Sequence, residues 1–131
     1  MILVLNCGSQ SIKWKLFEDS LKLKKEGKRE IFSHQKYRQV LVEELGKLGK
    51  YQEEIKIVGH RVVHGGDKFR KPTRITEKVL KELRRFNKLA PLHNPFNILG
   101  IETCRKSFPK VPQIAVFDSE FYADLPQKAY C

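Results

Sequence analysis

Residues 59–66, GHRVVHGG, set one arginine between two histidines in a β-branched stretch that stops on paired glycines. The two-residue period of a strand puts Arg61 and Val63 on one face and His60, Val62 and His64 on the other. His60 and His64 would then stand about 13 Å apart at ~3.3 Å per residue, too far to share one metal ion. Arg61 is more informative. A planar guanidinium fork holds a carboxylate or a phosphate, and Val63 beside it offers an apolar surface for a small alkyl group. The same arginine can equally be the structural partner of an acid, and spacing alone leaves both readings open.

A second candidate is NCGSQS at residues 6–11, where a short apolar run feeds a turn. Gly8 suits tight geometry, the Ser9 and Ser11 hydroxyls and turn amides can converge on phosphate oxygens, and Lys13 adds a cation. Asn6 offers a neutral oxygen to a hydrated cation. These are also ordinary hairpin-turn residues, so a turn with no further role accounts for them too. A third candidate is Asp118, which ends the apolar run QIAVF. Ligands gather beyond strand carboxyl ends in open α/β sheets, but an aspartate there can also simply cap the turn at Ser119 and Glu120. His93 in PLHNP is either a pocket residue or a loop hydrogen-bonder, and His34 and the three cysteines receive no functional assignment.

These residues need strands and helices to hold them. Ile2 to Cys7, followed by alternating Ile12, Trp14 and Leu16, reads as a β-hairpin. A third strand is expected within Leu21–Ser33, where Gly27 interrupts a charged stretch and REIF resumes a strand-like pattern. A helix is expected from Tyr37 to Leu48 with Gly49 as its stop, then a buried strand over Ile55–His64. Thr76 reads as the N-cap of a helix running to about Leu89, with Val79, Leu80, Leu83 and Phe86 on one face. A further helix follows Asn94, which can cap it with Pro95 in the first turn, and a last strand covers Gln113–Phe117. The order β-β-β-α-β-α-α-β implies an α/β layer with a mixed sheet whose opening hairpin is antiparallel.

A length of 131 residues suits one compact domain, and 40% hydrophobic against 31% charged residues suits a globular one. The apolar start MILVL is too short for a signal peptide or a membrane span, so a cytoplasmic location is expected. Three cysteines without a C-x-x-C pair suggest neither a disulfide framework nor a zinc ribbon. The net charge of +11 raises nucleic acid as a partner. Its basic residues are interleaved with acids, as in KKEGKRE and EKVLKELRR, which is the pattern of an ion-paired surface rather than a phosphate-tracking stripe. The terminal EFYADLPQKAYC carries aromatic and apolar side chains without a closing element to bury them, as expected if a partner covers it or the chain continues.

Taken together and in order, VLNCGSQSIKWKLF, GHRVVHGGDKF, LAPLHNPFNILGI and IAVFDSEFYADLPQKAY resemble the acetate kinase family, which includes propionate and butyrate kinases. The resemblance implies an actin-like, ribonuclease-H-type fold and reversible phosphoryl transfer between ATP and acetate, giving acetyl phosphate and ADP, with magnesium as cofactor. It implies that Asn6 lies near magnesium, that Ser9, Ser11 and Lys13 face the transferring phosphate, and that Arg61 binds the carboxylate or acyl phosphate. Val63, Leu92 and Pro126 would line the pocket for the alkyl group. Asp118 would be the catalytic aspartate; acetate is already ionised near neutral pH, so ordering magnesium and its water suits it better than proton transfer.

Gln10 and Tyr122 stand where the family usually has serine and histidine. The resemblance covers a first domain only. A second, carrying a Phe-His-Gly-Thr-Ser-His stretch, another essential arginine, the adenosine site, an acidic magnesium ligand and most of the homodimer interface, has no counterpart in these 131 residues. A first domain standing alone is expected to have negligible activity. The alternatives are a propionate or butyrate kinase fragment, and a non-catalytic basic remnant that binds nucleic acid.

Overall fold

A computed structural model describes residues 1–63, 69–88 and 94–117 of the chain. The chain opens with the expected hairpin of β1 (Ile2–Cys7) and β2 (Ser11–Phe17), and β3 (Leu23–Glu30) adds a third antiparallel strand. Then follow α1 (Tyr37–Gly46), β4 (Ile57–Val62), a two-residue β5 (Thr73–Arg74), α2 (Glu77–Arg85), α3 (Asn94–Ser107) and β6 (Gln113–Phe117). The strands form one mixed sheet in the order β3-β2-β1-β4-β6-β5, with β1, β4 and β6 parallel at its centre. Their carboxyl ends therefore lie along one edge, which brings the NCGSQS turn and the end of GHRVV together.

Alternation sorts the side chains of each strand between two faces. Leu3, Leu5 and Cys7 of β1, Ile12, Trp14 and Leu16 of β2, Val58, His60 and Val62 of β4, and Ala115 and Phe117 of β6 are all buried. This inner face meets α1 and α3 around Leu41, Leu45 and Cys104, and meets α2 and α3 around Leu80, Leu83, Ile98 and Ile101. Among the described residues no helix covers the opposite, outer face, where Val4, Ile57 and Val116 are 40%, 38% and 45% exposed.

A charged group is built into the inner face near β2 and β3. The fully buried Glu44 of α1 accepts from the Trp14 indole at 3.1 Å and pairs with Lys47 at 2.6 Å and Arg29 at 3.4 Å. Burial works to raise its carboxyl pKa, but Lys47, Trp14 and Arg29 together outweigh that and hold it below the usual carboxylate range. On the surface, Arg105–Glu77, Arg84–Glu102 and Lys28–Glu30 pair part of the basic excess with acids.

Thr76 caps α2 as expected, its hydroxyl accepting from the Val79 amide at 3.2 Å. Several boundaries differ from the sequence expectation. β3 is not interrupted at Gly27: a Cβ there would lie 2.5 Å from the Trp14 ring, so glycine is what lets the indole cross the strand. β3 ends at Glu30, and Phe32 is 96% exposed rather than part of a strand. α1 stops at Gly46, and Leu48 is buried from the following turn. α2 gives way at Phe86 to a single 3-10 turn, and α3 includes Asn94 itself. The sequence order lacked β5, which is too short to carry a periodic pattern. Among the described residues no helix is long and apolar enough to cross a membrane.

Candidate active site

The functional candidates on the strands share the outer face and one edge. Asn6 of β1 is the register partner of Lys13 of β2, and Arg61 of β4 is the partner of Val116 of β6. Asn6 alternates with Val4 and Arg61 with Gly59, and Val4 and Gly59 are themselves register partners across β1 and β4. Lys13, Asn6 and Arg61 thus lie in a row across three adjacent strands, Lys13 and Arg61 about 10 Å apart at ~4.8 Å per strand. Lys13 and Arg61 are exposed and Asn6 is half-buried. The arrangement sets two cations on either side of a neutral amide at the carboxyl end of the sheet.

Beside that row the β1–β2 turn is held in an unusual way. The Gly8 amide donates to the Ser11 carbonyl at 3.0 Å, and the Ile31 amide donates to the Gln10 carbonyl at 2.8 Å. The Tyr37 hydroxyl donates to the Gly8 carbonyl at 2.8 Å, and His34 Nε2 lies 3.0 Å from the Ser9 carbonyl, so this nitrogen carries the proton. Every carbonyl from Gly8 to Ser11 is therefore engaged by the protein. The Ser9 and Gln10 amides have no partner among the described residues. A turn with its negative ends tied back and its positive ends open, next to two hydroxyls and a lysine, is suited to an anion.

The backing of the turn comes from distant parts of the chain. Phe96 of α3 packs against the rings of both His34 and Tyr37, at 4.7 Å and 4.8 Å between centroids. Gly100, one turn on, allows α3 to lie close to β1, since a Cβ there would be 2.6 Å from the Cys7 sulfur. Burial pushes the Cys7 thiol up to about 12, against a smaller opposing effect of Tyr37. Cys7 is a packed thiol, not a nucleophile, despite its place beside the turn. Between Phe96 and Gly100 sits Asn97, whose side-chain amide reaches β1 and β4 at once, donating to the Cys7 carbonyl and accepting from the Val63 amide at 2.9 Å.

Val63 follows directly on β4 and is half-buried. His60, expected on the face opposite Arg61, is buried there and hydrogen-bonded to Gln113 at 2.6 Å, so it serves the core and not a metal. Asp118, Leu92, Pro126, His64 and His93 lie outside the described residues. The structure therefore brings together Asn6, Ser9, Ser11, Lys13, Arg61 and Val63. Sequence reasoning had passed over His34 and had not singled out Tyr37, Phe96 or Asn97 for the site. For Asn97 a signal existed, since a polar residue interrupts the buried stripe Ile98, Ile101 and Cys104 of α3.

The described residues contain no group of three histidines, cysteines or acids able to hold a metal ion. The oxygen donors they do bring to the edge, Asn6 and the two serines, are neutral. Such a set fits a magnesium ion that keeps its water and takes its charged ligands from phosphate.

The Acetokinase family profile matches residues 21–131. The chain belongs to that family. An acetate kinase of Halothermothrix orenii is 40% identical over 159 residues, covering 98% of this chain and 40% of the relative. One from Helicobacter pylori is 42% identical with the same coverage. Among solved structures, Porphyromonas gingivalis acetate kinase aligns with a TM-score of 0.76 at 31% identity, over 97% of this chain and 39% of that one. A propionate kinase from Francisella tularensis aligns at 0.74 and 33% identity, with the same coverage. The domain has the actin-like ATPase fold that its motifs implied. It spans about 40% of the length of these relatives, and the 159 aligned residues exceed its own 131, so family members carry extra residues within the shared region.

Proposed function

We propose that this chain forms one wall of the cleft of an acetate kinase, the wall that receives the acyl phosphate. The observation that carries this reading is the row of Lys13, Asn6 and Arg61 beside a turn whose carbonyls are all tied back. Arg61 takes the carboxylate end of the substrate with its guanidinium fork. The Ser9 and Ser11 hydroxyls, the open amides of the turn and Lys13 face the phosphoryl group being transferred. Val63, with Leu92 and Pro126, bounds the alkyl pocket.

In the direction of ATP synthesis the bond between the acyl oxygen and phosphorus breaks while a terminal oxygen of ADP bonds to phosphorus. Acetate leaves as an anion, so no proton has to move at the acyl oxygen. The protein's contribution is then alignment and neutralisation of the charge on the phosphoryl oxygens. Magnesium, when bound, adds to that neutralisation; Asn6 and the serines would contact its hydration shell and Asp118 would order it. The opposite wall, with the adenosine site and further positive charge, belongs to a second domain or a complementary chain, as does the family's dimer contact. ATP as co-substrate places the work in the cytoplasm.

A hydroxamate trap for acetyl phosphate tests the proposal. The 131-residue chain alone is expected to show no turnover, because one absent cleft arginine can cost about 10³-fold or more in rate. Supplying the remaining portion of a family member is expected to restore turnover, and Arg61→Ala to remove it again. Turnover by the chain alone would overturn the single-wall reading. Rates with acetate, propionate and butyrate in the restored enzyme decide between acetate kinase and the propionate kinase that the Francisella tularensis structure also brings to mind.

A further inference from the structure

We propose that Asn97 is a positioning residue that locks the phosphate-facing turn to the strand bearing Arg61, a role that rests on the kinase reading above. The turn and Arg61 sit on different strands, and nothing in the hairpin itself fixes their spacing at the carboxyl edge. The last β1–β4 register pair is Leu5 with His60, so the backbone ladder between the two strands ends there. The edge where Asn6, Gly8 and Val63 emerge is the part of the parallel pair that its own ladder does not hold.

Asn97 closes that gap from behind. Its side chain is 2% exposed, with Nδ2 donating to the Cys7 carbonyl and Oδ1 accepting from the Val63 amide at 2.9 Å. One partner is an acceptor and the other a donor, so the orientation of the amide is fixed by chemistry. A primary amide of this length supplies both functions at once. Aspartate has only acceptors when ionised, leucine has neither function, and glutamine is one carbon too long for a site already packed. Cys7 immediately precedes Gly8, whose carbonyl is held by Tyr37, and Val63 lies two residues beyond Arg61.

Asn97 is backed by its own helix. Phe96 supports His34 and Tyr37, which hold the next two carbonyls of the turn, while Gly100 sets the distance of α3 from β1. A rigid helix thus carries both the clasp and its support. Holding two substrate-binding groups in register is the kind of alignment on which transfer rates depend steeply.

The test uses the 131-residue chain with two substitutions, Asn97→Ala and Asn97→Asp, read by amide exchange, by nitrogen shifts and by titration with acetyl phosphate. Asn97→Ala is expected to speed exchange of the Val63 amide roughly tenfold or more and to shift the Gly8 nitrogen, which is bonded to the Cys7 carbonyl carbon. Leu3 and Val58, at the far end of the same strands, should not change. Acetyl phosphate affinity should fall roughly tenfold although Arg61 and the serines remain. Asn97→Asp should keep the Val63 amide protected while disturbing Gly8, and the disturbance should fade as pH falls and the carboxyl regains a proton to donate.

Unchanged Val63 and Gly8 signals, or losses spread evenly to Leu3 and Val58, would overturn the proposal. So would Asn97→Asp behaving like Asn97→Ala at every pH. Should Asn97→Ala fail to fold, the pH profile of Asn97→Asp carries the test alone. Should the unmodified chain not bind acetyl phosphate while both variants split as described, the kinase reading fails and the clasp stands.

Discussion

The two faces of the central sheet are written by the same strands, one residue out of phase, and they do different work. On the inner face Leu5, Cys7, Trp14, His60 and Val62 are sealed against the helices, and the polar side chains there are paired, Trp14 with Glu44 and His60 with Gln113. On the outer face Asn6, Lys13 and Arg61 stand between Val4, Ile57 and Val116, with no helix over them among the described residues. In the proposed reading, parity separates strand positions that serve stability from those open to a ligand. Substitutions should separate into two kinds accordingly.

The largest effect is expected on the inner face. Trp14→Ala removes a buried ring and leaves the Glu44 carboxylate without its indole donor, and should cost about 4 kcal/mol in urea unfolding. A loss below about 1 kcal/mol would mean that the inner face is not the seat of stability.

His60 gives the next effect, through pH. Burial lowers its imidazole from 6.5 to about 4, against a smaller opposing effect of the Gln113 hydrogen bond. Between those values the unfolded chain binds a proton that the folded chain refuses, so stability is full above pH 6.5 and drains away as pH falls. The total lost by pH 4 should be about 3 kcal/mol, and the corresponding slope should vanish in His60→Leu. An unchanged slope in that variant would assign the pH dependence to other groups.

Arg61→Ala should reverse the pattern. Calorimetry should show acetyl phosphate affinity weakened by about 2 kcal/mol, with unfolding changed by less than about 1 kcal/mol. The smallest effect is expected for Val4→Thr on the outer face, within about 0.5 kcal/mol in stability. A large loss there would show that the outer face is packed in solution.

Much of the sheet was legible because parity is written into β1 and β2, where buried and exposed positions alternate without a break. β3 was harder, since most of its residues are exposed and Gly27 looks like an interruption until the Trp14 ring is seen over it. β5 escaped because two residues carry no period. The turn residues and Arg61 stood out in the sequence by type, and the structure sets them along one edge of the sheet. The supports were not: His34, Tyr37, Phe96 and Asn97 act on Cys7 to Gly8, Ser9 and Val63 across 25 to 90 positions of chain, and no local pattern encodes that. Glu44 was hidden for a related reason, because its partners on β2 and β3 meet it only when α1 docks.

The measurement closest to the central claim is a titration of the 131-residue chain with acetyl phosphate, followed by nitrogen–proton correlation spectra. The Ser9 and Gln10 amides and the Arg61 side-chain Nε–H should move along one saturating curve, while inner-face amides such as Leu5 and Val58 stay in place. Saturable shifts elsewhere with Ser9, Gln10 and Arg61 silent, or no saturable shift at all, would contradict the assignment of this edge of the sheet as the acyl phosphate wall.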